Sequence, residues 1–204
     1  MSNANKLILA SSSSIRATLL KNAGINFCID PPNIDEHEIL LKLIKQAKPI
    51  SEIAITLATM KANLVSGRWR DHMVIGADQT LDIDGQLFTK PKNSSEAKKT
   101  LIALRGTYHR LTSSVSVTYN REVMWSDTST STLKMRSFSA EFLDKYLLNA
   151  GTGIFKTVGG YEIEKLGIQL FEDIKGDYHA ILGLPLIPLL NFLINENRPI
   201  LFDN

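Results

Sequence analysis

Cysteine is nearly absent from this chain. Cys28 is the only one in 204 residues, so no internal disulfide can form and no zinc knuckle can assemble, and a reducing compartment suits this usage. An excess of one charge is missing as well: 23 Lys and Arg stand against 21 Asp and Glu. Surfaces that hold duplexes through their phosphates show a strong basic excess, so stable nucleic-acid binding is not expected. No apolar run is long enough to span a bilayer, because the richest stretch, Ala180 to Ile194, is short and interrupted by Pro185 and Pro188. The opening Met1-Ser-Asn-Ala-Asn5 is polar and uncharged up to Lys6, unlike a signal peptide. These absences predict a cytoplasmic protein with no membrane partner.

Familiar catalytic signatures are lacking too. The chain has no G-x-x-x-x-G-K-[ST], no H-E-x-x-H and no G-x-S-x-G. His37, His72, His109 and His179 are scattered without metal-ligand spacing, which leaves them surface or hydrogen-bonded structural roles. Repeats and low-complexity linkers are missing. With 44% hydrophobic and 22% charged residues, the chain suits one compact domain or two small lobes sharing a core.

What is present is an alternation of strands and helices. Lys6 to Ala10 reads as a buried strand, and Ser11 to Ser14 offer cap chemistry for a helix from about Ile15 to Ala23, closed by Gly24. A short strand at Phe27 to Ile29 stops at Pro31-Pro32, an acidic turn spans Asn33 to His37, and Leu40 to Ile44 looks helical. Ser51 is expected to cap a long helix running to about Trp69, with Lys61 aimed into its apolar stripe between Leu57 and Leu64. Met73 to Asp78 reads as a strand ending on a carboxylate, and Leu81 to Gly85 as a strand entering a glycine turn. Asn93 with Glu96 resembles a capping box for a helix to about Arg105. Two β segments, Tyr108 to Tyr119 and Val123 to Met135, flank a hairpin turn at Asn120-Arg121. Ser139 caps a helix to about Asn149, after which Gly151-Thr-Gly153 reads as a helix stop. Strands are expected around Tyr161 to Glu164 and Ile168 to Ile174, with a last helix from Leu184-Pro185 to a point before Pro199. The interleaving predicts an α/β class, and the hairpins in the middle predict a mixed sheet.

Against this background a set of charged and hydroxyl residues stands out. Ser11, Ser13 and Arg16 sit where the first strand meets the first helix, and either meet an anion or serve as a simple cap beside a surface arginine. Lys61 is either a snorkelling lysine or a ligand on the apolar face. Glu36 lies in a turn, Asp78 closes an apolar strand, and Lys90 precedes the rigid Pro91. Cations neutralise phosphate oxygens, and a carboxylate pair can hold Mg²⁺ with water ligands, so the set equips a chain to hydrolyse a charged phosphate ester.

At these same residues the chain resembles the Maf (septum-formation inhibitor) family of nucleotide pyrophosphatases. Leu9-Ala-Ser-Ser-Ser13 with Arg16 is similar to the family's L-A-S-x-S-P-R-R opening, Ile34-Asp-Glu36 to its V-D-E turn, and Leu57-Ala-Thr-Met-Lys-Ala62 to its L-A-x-x-K-A helix. Gly76-Ala-Asp-Gln79, Lys90-Pro91, Leu104-Arg-Gly106 with His109, and Gly183-Leu-Pro185 follow in order, so the resemblance runs nearly end to end.

The resemblance implies a single Maf-like domain over residues 1–204, with a twisted mixed sheet flanked by helices and two lobes around a central cleft, as in ITPase-like folds. It implies hydrolysis of the α–β bond of a nucleoside triphosphate to monophosphate and pyrophosphate, a divalent metal (Mg²⁺ or Mn²⁺), and a homodimer. Asp78 stands at the family's proton-acceptor position. Ser11, Ser13, Arg16, Glu36, Lys61 and Lys90 match its substrate-holding positions, with Glu36 and Asp78 toward the metal.

Three departures bear on the base. Ile15 replaces the first arginine of P-R-R, Gln79 stands where the dTTP- and UTP-preferring branch has threonine, and Tyr161-Glu-Ile-Glu164 replaces that branch's Y-x-I-Q. Gln79 with Glu164 looks more like a branch acting on 7-methyl-GTP, since a glutamate accepts hydrogen bonds from a guanine edge. The family's K-A-G-x-Y stretch is altered as well, to Thr157-Val-Gly-Gly-Tyr161. A nucleotide-binding regulator of cell division without turnover is the competing reading, and a purely structural α/β domain the third.

Overall fold

A computed structural model describes residues 7–196. Lys6, expected to open the first strand, and the polar start before it lie outside the described residues, as does the segment just before Pro199.

The elements run β1 (Leu7–Ala10), α1 (Ser14–Asn22), β2 (Phe27–Ile29), α2 (Glu36–Lys45), α3 (Ile50–Ser66), β3 (Met73–Ile83), β4 (Gln86–Phe88), α4 (Ser94–Leu104), β5 (Tyr108–Tyr119), β6 (Glu122–Met135), α5 (Ala140–Asn149), β7 (Phe171–Lys175), α6 (Tyr178–Ile181) and α7 (Leu186–Asn195), with 3₁₀ turns at Thr152–Lys156 and Leu166–Leu170. The strands form a mixed sheet in the order β2-β1-β3-β5-β6-β7, with β4 paired to β3. β1 pairs in parallel with β2 and β3, while β3–β4 and β6–β7 are antiparallel. The expected α/β class and mixed sheet are what the chain adopts. No helix among the described residues is long and apolar enough to cross a membrane.

Two compact units divide the chain. The first comprises residues 7–78, 113–129 and 177–196 of the described chain. Strand alternation organises it. Leu7, Leu9, Met73, Ile75 and Ala77 point to one face and pack with Leu19 and Leu20 of α1 and with Leu186, Leu189 and Leu193 of α7. Ile8, Ala10 and Val74 point to the other face, where Ala62 and Val65 of α3 cover them. The buried stripe of α3 is Ile53, Ala54, Leu57, Ala58, Lys61, Ala62, Val65 and Ser66, the helical repeat with a lysine in an apolar slot. Ala58 and Ala62 of this stripe face Gly76. A Cβ on Gly76 would stand 2.2 Å from the Ala58 carbonyl oxygen and 2.8 Å from the Ala62 nitrogen. Glycine at this point of β3 therefore lets a helix backbone lie against a strand backbone.

Several boundaries differ from the sequence expectation. The cap of α3 is Pro49, whose carbonyl accepts from the Glu52 N–H at 2.9 Å, so Ser51 is a first-turn residue and not the cap. The helix stops at Ser66, where the Arg68 N–H tightens the chain into a turn by bonding three residues back to the Val65 carbonyl at 2.8 Å. Leu64 is 47% exposed and lies off the buried stripe. Glu36 is not in a turn. It opens α2, whose cap is Asp35, accepting from the Glu38 N–H at 3.0 Å.

Residues 79–112 and 130–176 form the second unit. Here β3 continues and folds back through Asp84-Gly85 onto β4, pairing Leu81 with Phe88. The caps read from sequence hold: Asn93 accepts from the Glu96 N–H at 2.9 Å and Ser139 from the Phe142 N–H at 3.1 Å. The strand expected at Tyr161 to Glu164 does not form, because the Glu162 carbonyl accepts from both the Lys165 and Gly167 N–H groups and closes a turn instead of joining a ladder. β7 starts only at Phe171, since the 3₁₀ turn occupies the residues before it.

Candidate functional site

In the first unit the polar residues singled out from sequence gather around the α3 lysine. The close approach at Gly76 sets Lys61 of α3 beside Asp78 of β3, two positions on along the same strand face. Lys61 is 3% exposed. Its Nζ donates to Asp78 Oδ1 at 2.6 Å and stands 2.7 Å from Glu36 Oε1 at the head of α2. One buried ammonium thus joins two carboxylates from different elements, in surroundings where such contacts gain strength.

Asp78 does not end its strand. β3 runs on to Ile83 because β4 pairs with its far end, which the apolar-to-polar change at Asp78 conceals. What ends nearby is the parallel neighbour: the last β1–β3 pair is Ala10 with Gly76. Asp78 therefore lies just past the carboxyl end of β1, the side of a parallel sheet where helix N-termini and loops gather.

Arg16 sits on the other side of β3. Its Nη1 donates to the Ala77 carbonyl at 2.8 Å and to Ser11 Oγ at 3.2 Å, and its Nε donates to the Gly183 carbonyl at 2.8 Å. The guanidinium is clamped by the peptide directly preceding Asp78 and by a turn whose Gly183 holds φ of 100°. Burial pulls its pKa below the usual arginine value, while Asp78 and Glu36 pull it back up. An arginine stays charged at any physiological pH.

Ser13 caps α1, its Oγ accepting from the Arg16 N–H at 3.4 Å, and the Ser13 N–H in turn donates to Ser11 Oγ at 3.2 Å. The first turn of α1 holds no acidic residue, whereas those of α2, α3, α4 and α5 each do, so the partial positive charge of α1 is not locally answered. Ile15 is a half-buried residue of that first turn.

The structure thus brings Ser11, Ser13, Arg16, Glu36, Lys61 and Asp78 into one unit. Gln79, Lys90 and Glu164 belong to the second. Gln79, consecutive with Asp78 in one strand, leaves the ladder on the opposite face. Lys90 is an exposed residue following β4. Glu164 is exposed in the turn after Tyr161, next to Glu162, whose carboxylate pairs with Lys165 at 3.1 Å. Sequence reasoning missed the two carbonyls that hold Arg16, since a backbone contact leaves no mark in side-chain spacing. Gly76 was the available signal for the close helix, a glycine in the middle of an apolar strand.

His109, placed among structural histidines, is 1% exposed, and its Nε2 lies 2.9 Å from Tyr161 Oη. Burial holds the imidazole pKa down at about 4, so it is neutral at pH 7.

The family profile described as Maf-like protein matches residues 6–196. A 7-methyl-GTP pyrophosphatase from Bartonella quintana is 44% identical over 187 residues, covering 92% of this chain and 93% of that one. A nucleoside triphosphate pyrophosphatase from Paramagnetospirillum magneticum is 42% identical over 186 residues, covering 91% and 96%, and one from Caulobacter vibrioides is 44% identical over 185 residues, covering 91% and 92%. The solved structure of a HAM1 protein from Coxiella burnetii overlays only loosely, with a TM-score of 0.39 and 14% identity over 65% of this chain and 74% of that one.

Proposed function

The chain belongs to the Maf family, and from that premise we propose that it is a nucleoside triphosphate pyrophosphatase, cutting between the α and β phosphates to release a nucleoside monophosphate and pyrophosphate. The observation that carries the reading is the buried Lys61 ammonium shared between Asp78 and Glu36, with Arg16 anchored to the peptide before Asp78. A triphosphate chain needs cations held rigidly where charge gathers in the transition state, and Arg16 and Lys61 supply two. The open first turn of α1 with Ser11 and Ser13 adds N–H and hydroxyl donors for a further phosphate oxygen. Asp78 takes the proton of the attacking water, and Lys61 holds the carboxylate in place for that task.

No group of three or more His, Cys, Asp or Glu side chains among the described residues could hold a metal by itself. Two hard carboxylates that meet at the Lys61 ammonium leave no place for an ion between them, but beside that nitrogen they fit the manner in which Mg²⁺ or Mn²⁺ is held by one or two carboxylates with phosphate oxygens and water completing the shell. Glu36 and Asp78 are those carboxylates, and the bound ion would polarise the phosphoryl group and lower the pKa of its water. The enzyme works in the cytoplasm as a homodimer on this reading, and Lys90 is a substrate-holding cation of the second unit by the family resemblance alone. Its test is pyrophosphate release with Mg²⁺ across a panel of triphosphates in the protein and in Asp78→Asn. The variant should lose about 10²–10⁴-fold in kcat, the usual worth of a positioned base. Activity at the parent level would remove Asp78 from the chemistry, and nucleotide binding without product from any triphosphate would favour a non-catalytic regulator of division.

A preference for 7-methyl-GTP is the second reading. Gln79 and Glu164 favour it, and a relative bearing that name is as similar as those with the general one.

A further inference from the structure

We propose that the first unit carries a second anion site, built by Arg70 and Arg121 at the C-terminal end of α3 and suited to a short polyphosphate chain. A cavity of ≈ 540 Å³ there is lined by Ser66, Gly67, Arg70, Asp71, Asn120 and Arg121. Its size is within the range of ligand sites. No aromatic or large apolar side chain lines it, so an occupant is recognised by charge and not by a base or an acyl chain.

Two features of the chain converge on the Arg121 side chain. The first is the β5–β6 hairpin. Its two-residue turn has φ of 47° at Asn120 and 67° at Arg121, the left-handed pair that a primed turn demands. Glycine is the favoured second residue of such a turn, and the same chain uses Asp84-Gly85 in its other two-residue hairpin, with φ of 46° and 89°. An arginine in this slot is strained. The second is Gly67, which follows α3 with φ of −63° and ψ of −24°, a conformation open to every residue. Backbone freedom does not call for glycine there, but its missing side chain leaves the place the guanidinium takes: a Cβ on Gly67 would stand 2.6 Å from Arg121 Nη2 and 2.9 Å from its Nε, and the flexible arginine would have to move aside. The guanidinium thus lies flat on a glycine surface, while the Arg121 N–H is tied to Ser66 Oγ at 2.9 Å.

Neither Arg70 nor Arg121 forms an ion pair among the described residues. The one carboxylate of the lining, Asp71, faces Tyr119 Oη and Asn120 Nδ2 at 3.4 Å each, and its N–H is held by Asn120 Oδ1 at 3.0 Å. Two planar guanidinium forks at one cavity match the geometry of phosphate oxygens. The site stands independently of the reading above, since none of its residues belongs to the Lys61 cluster.

The test is a titration of the ¹⁵N-labelled protein with sodium tripolyphosphate at constant ionic strength, followed residue by residue by NMR. Saturable shifts of the Ser66, Gly67, Asn120 and Arg121 amides are expected, with a Kd of about 1 mM or tighter. Arg121→Gly should weaken binding there at least tenfold while its Tm holds or rises, because glycine relieves the turn; Arg70→Gln should weaken it similarly. Shifts confined to Ser11–Arg16, shifts that grow without saturating, or unchanged binding in Arg121→Gly would overturn the proposal. A non-hydrolysable nucleoside triphosphate binding there more than tenfold tighter than tripolyphosphate would overturn the assignment to a bare chain.

Discussion

Replacing Lys61 with methionine keeps the length and apolar stem of the side chain and deletes only the ammonium. In the parent, that ammonium touches Asp78 Oδ1 at 2.6 Å and Glu36 Oε1 at 2.7 Å and is almost wholly enclosed. Without it two carboxylates are left facing each other beneath α3. Stranding one member of a buried pair costs ~3–5 kcal/mol. The Glu36 side chain is 40% exposed and can swing into water, whereas that of Asp78 is 11% exposed and cannot, which sets the loss at the lower end, about 3 kcal/mol. For a chain of this size that corresponds to roughly 6–12 °C in Tm. Urea unfolding followed by circular dichroism measures it. The reasoning predicts more than a single loss. In Lys61→Met/Asp78→Asn the stranded charge is gone, so the double variant should be at least ~1 kcal/mol more stable than the sum of the single losses implies. Additivity within about 0.5 kcal/mol would refute the claim that this pair is coupled. Pyrophosphate release should fall about 10²–10³-fold in Lys61→Met, as when a fixed electrostatic donor is removed.

Gly76→Ala sets a methyl against the backbone of α3, which cannot yield as a side chain can, so a loss of about 3 kcal/mol or more is expected, together with activity as the helix moves Lys61 off Asp78; a Tm within 2 °C of the parent (about 1 kcal/mol) would contradict the close approach. His109 titrates near its ordinary 6.5 when unfolded and at about 4 when folded, so the unfolded chain binds the extra proton between these values and stability falls as pH is lowered through that window. Relative to His109→Asn, the parent should lose about 3 kcal/mol between pH 7.5 and 4, and a constant difference in chemical denaturation would show that the imidazole is not buried neutral. If Gln79 and Glu164 read the base, Gln79→Thr/Glu164→Gln shifts kcat/KM from 7-methyl-GTP toward pyrimidine triphosphates, and an unaltered substrate profile removes that role.

The elements were legible wherever local chemistry decides them. The caps at Ser13, Asn93 and Ser139 and the Asn120-Arg121 turn satisfy donors or dihedrals within a few residues, and each stands where the sequence indicates. Boundaries failed where a nearby backbone group or the next strand takes hydrogen bonds that side-chain patterning does not register. β3 passes through Asp78 because β4 folds back on it, Glu162 closes a turn where a strand was expected, and Pro49 displaces Ser51 as the cap.

The candidate site divides in the same way. A lysine in the apolar repeat of α3, a carboxylate after an apolar run and an acid expected in a turn are facts of composition and spacing; they singled out Lys61, Asp78 and Glu36, and the family resemblance gave them their roles, while the place of Glu36 at the head of α2 came with the structure. That one nitrogen touches both acids, and that Arg16 is clamped by the Ala77 and Gly183 carbonyls, came only with the fold. The reason is physical. Periodicity and capping depend on neighbours within a turn or two of the chain, whereas the meeting of residues 61 and 78 depends on a glycine in β3 that lets α3 lie against its backbone, and the clamp on Arg16 joins residues 16, 77 and 183, contacts that exist only once these surfaces are buried.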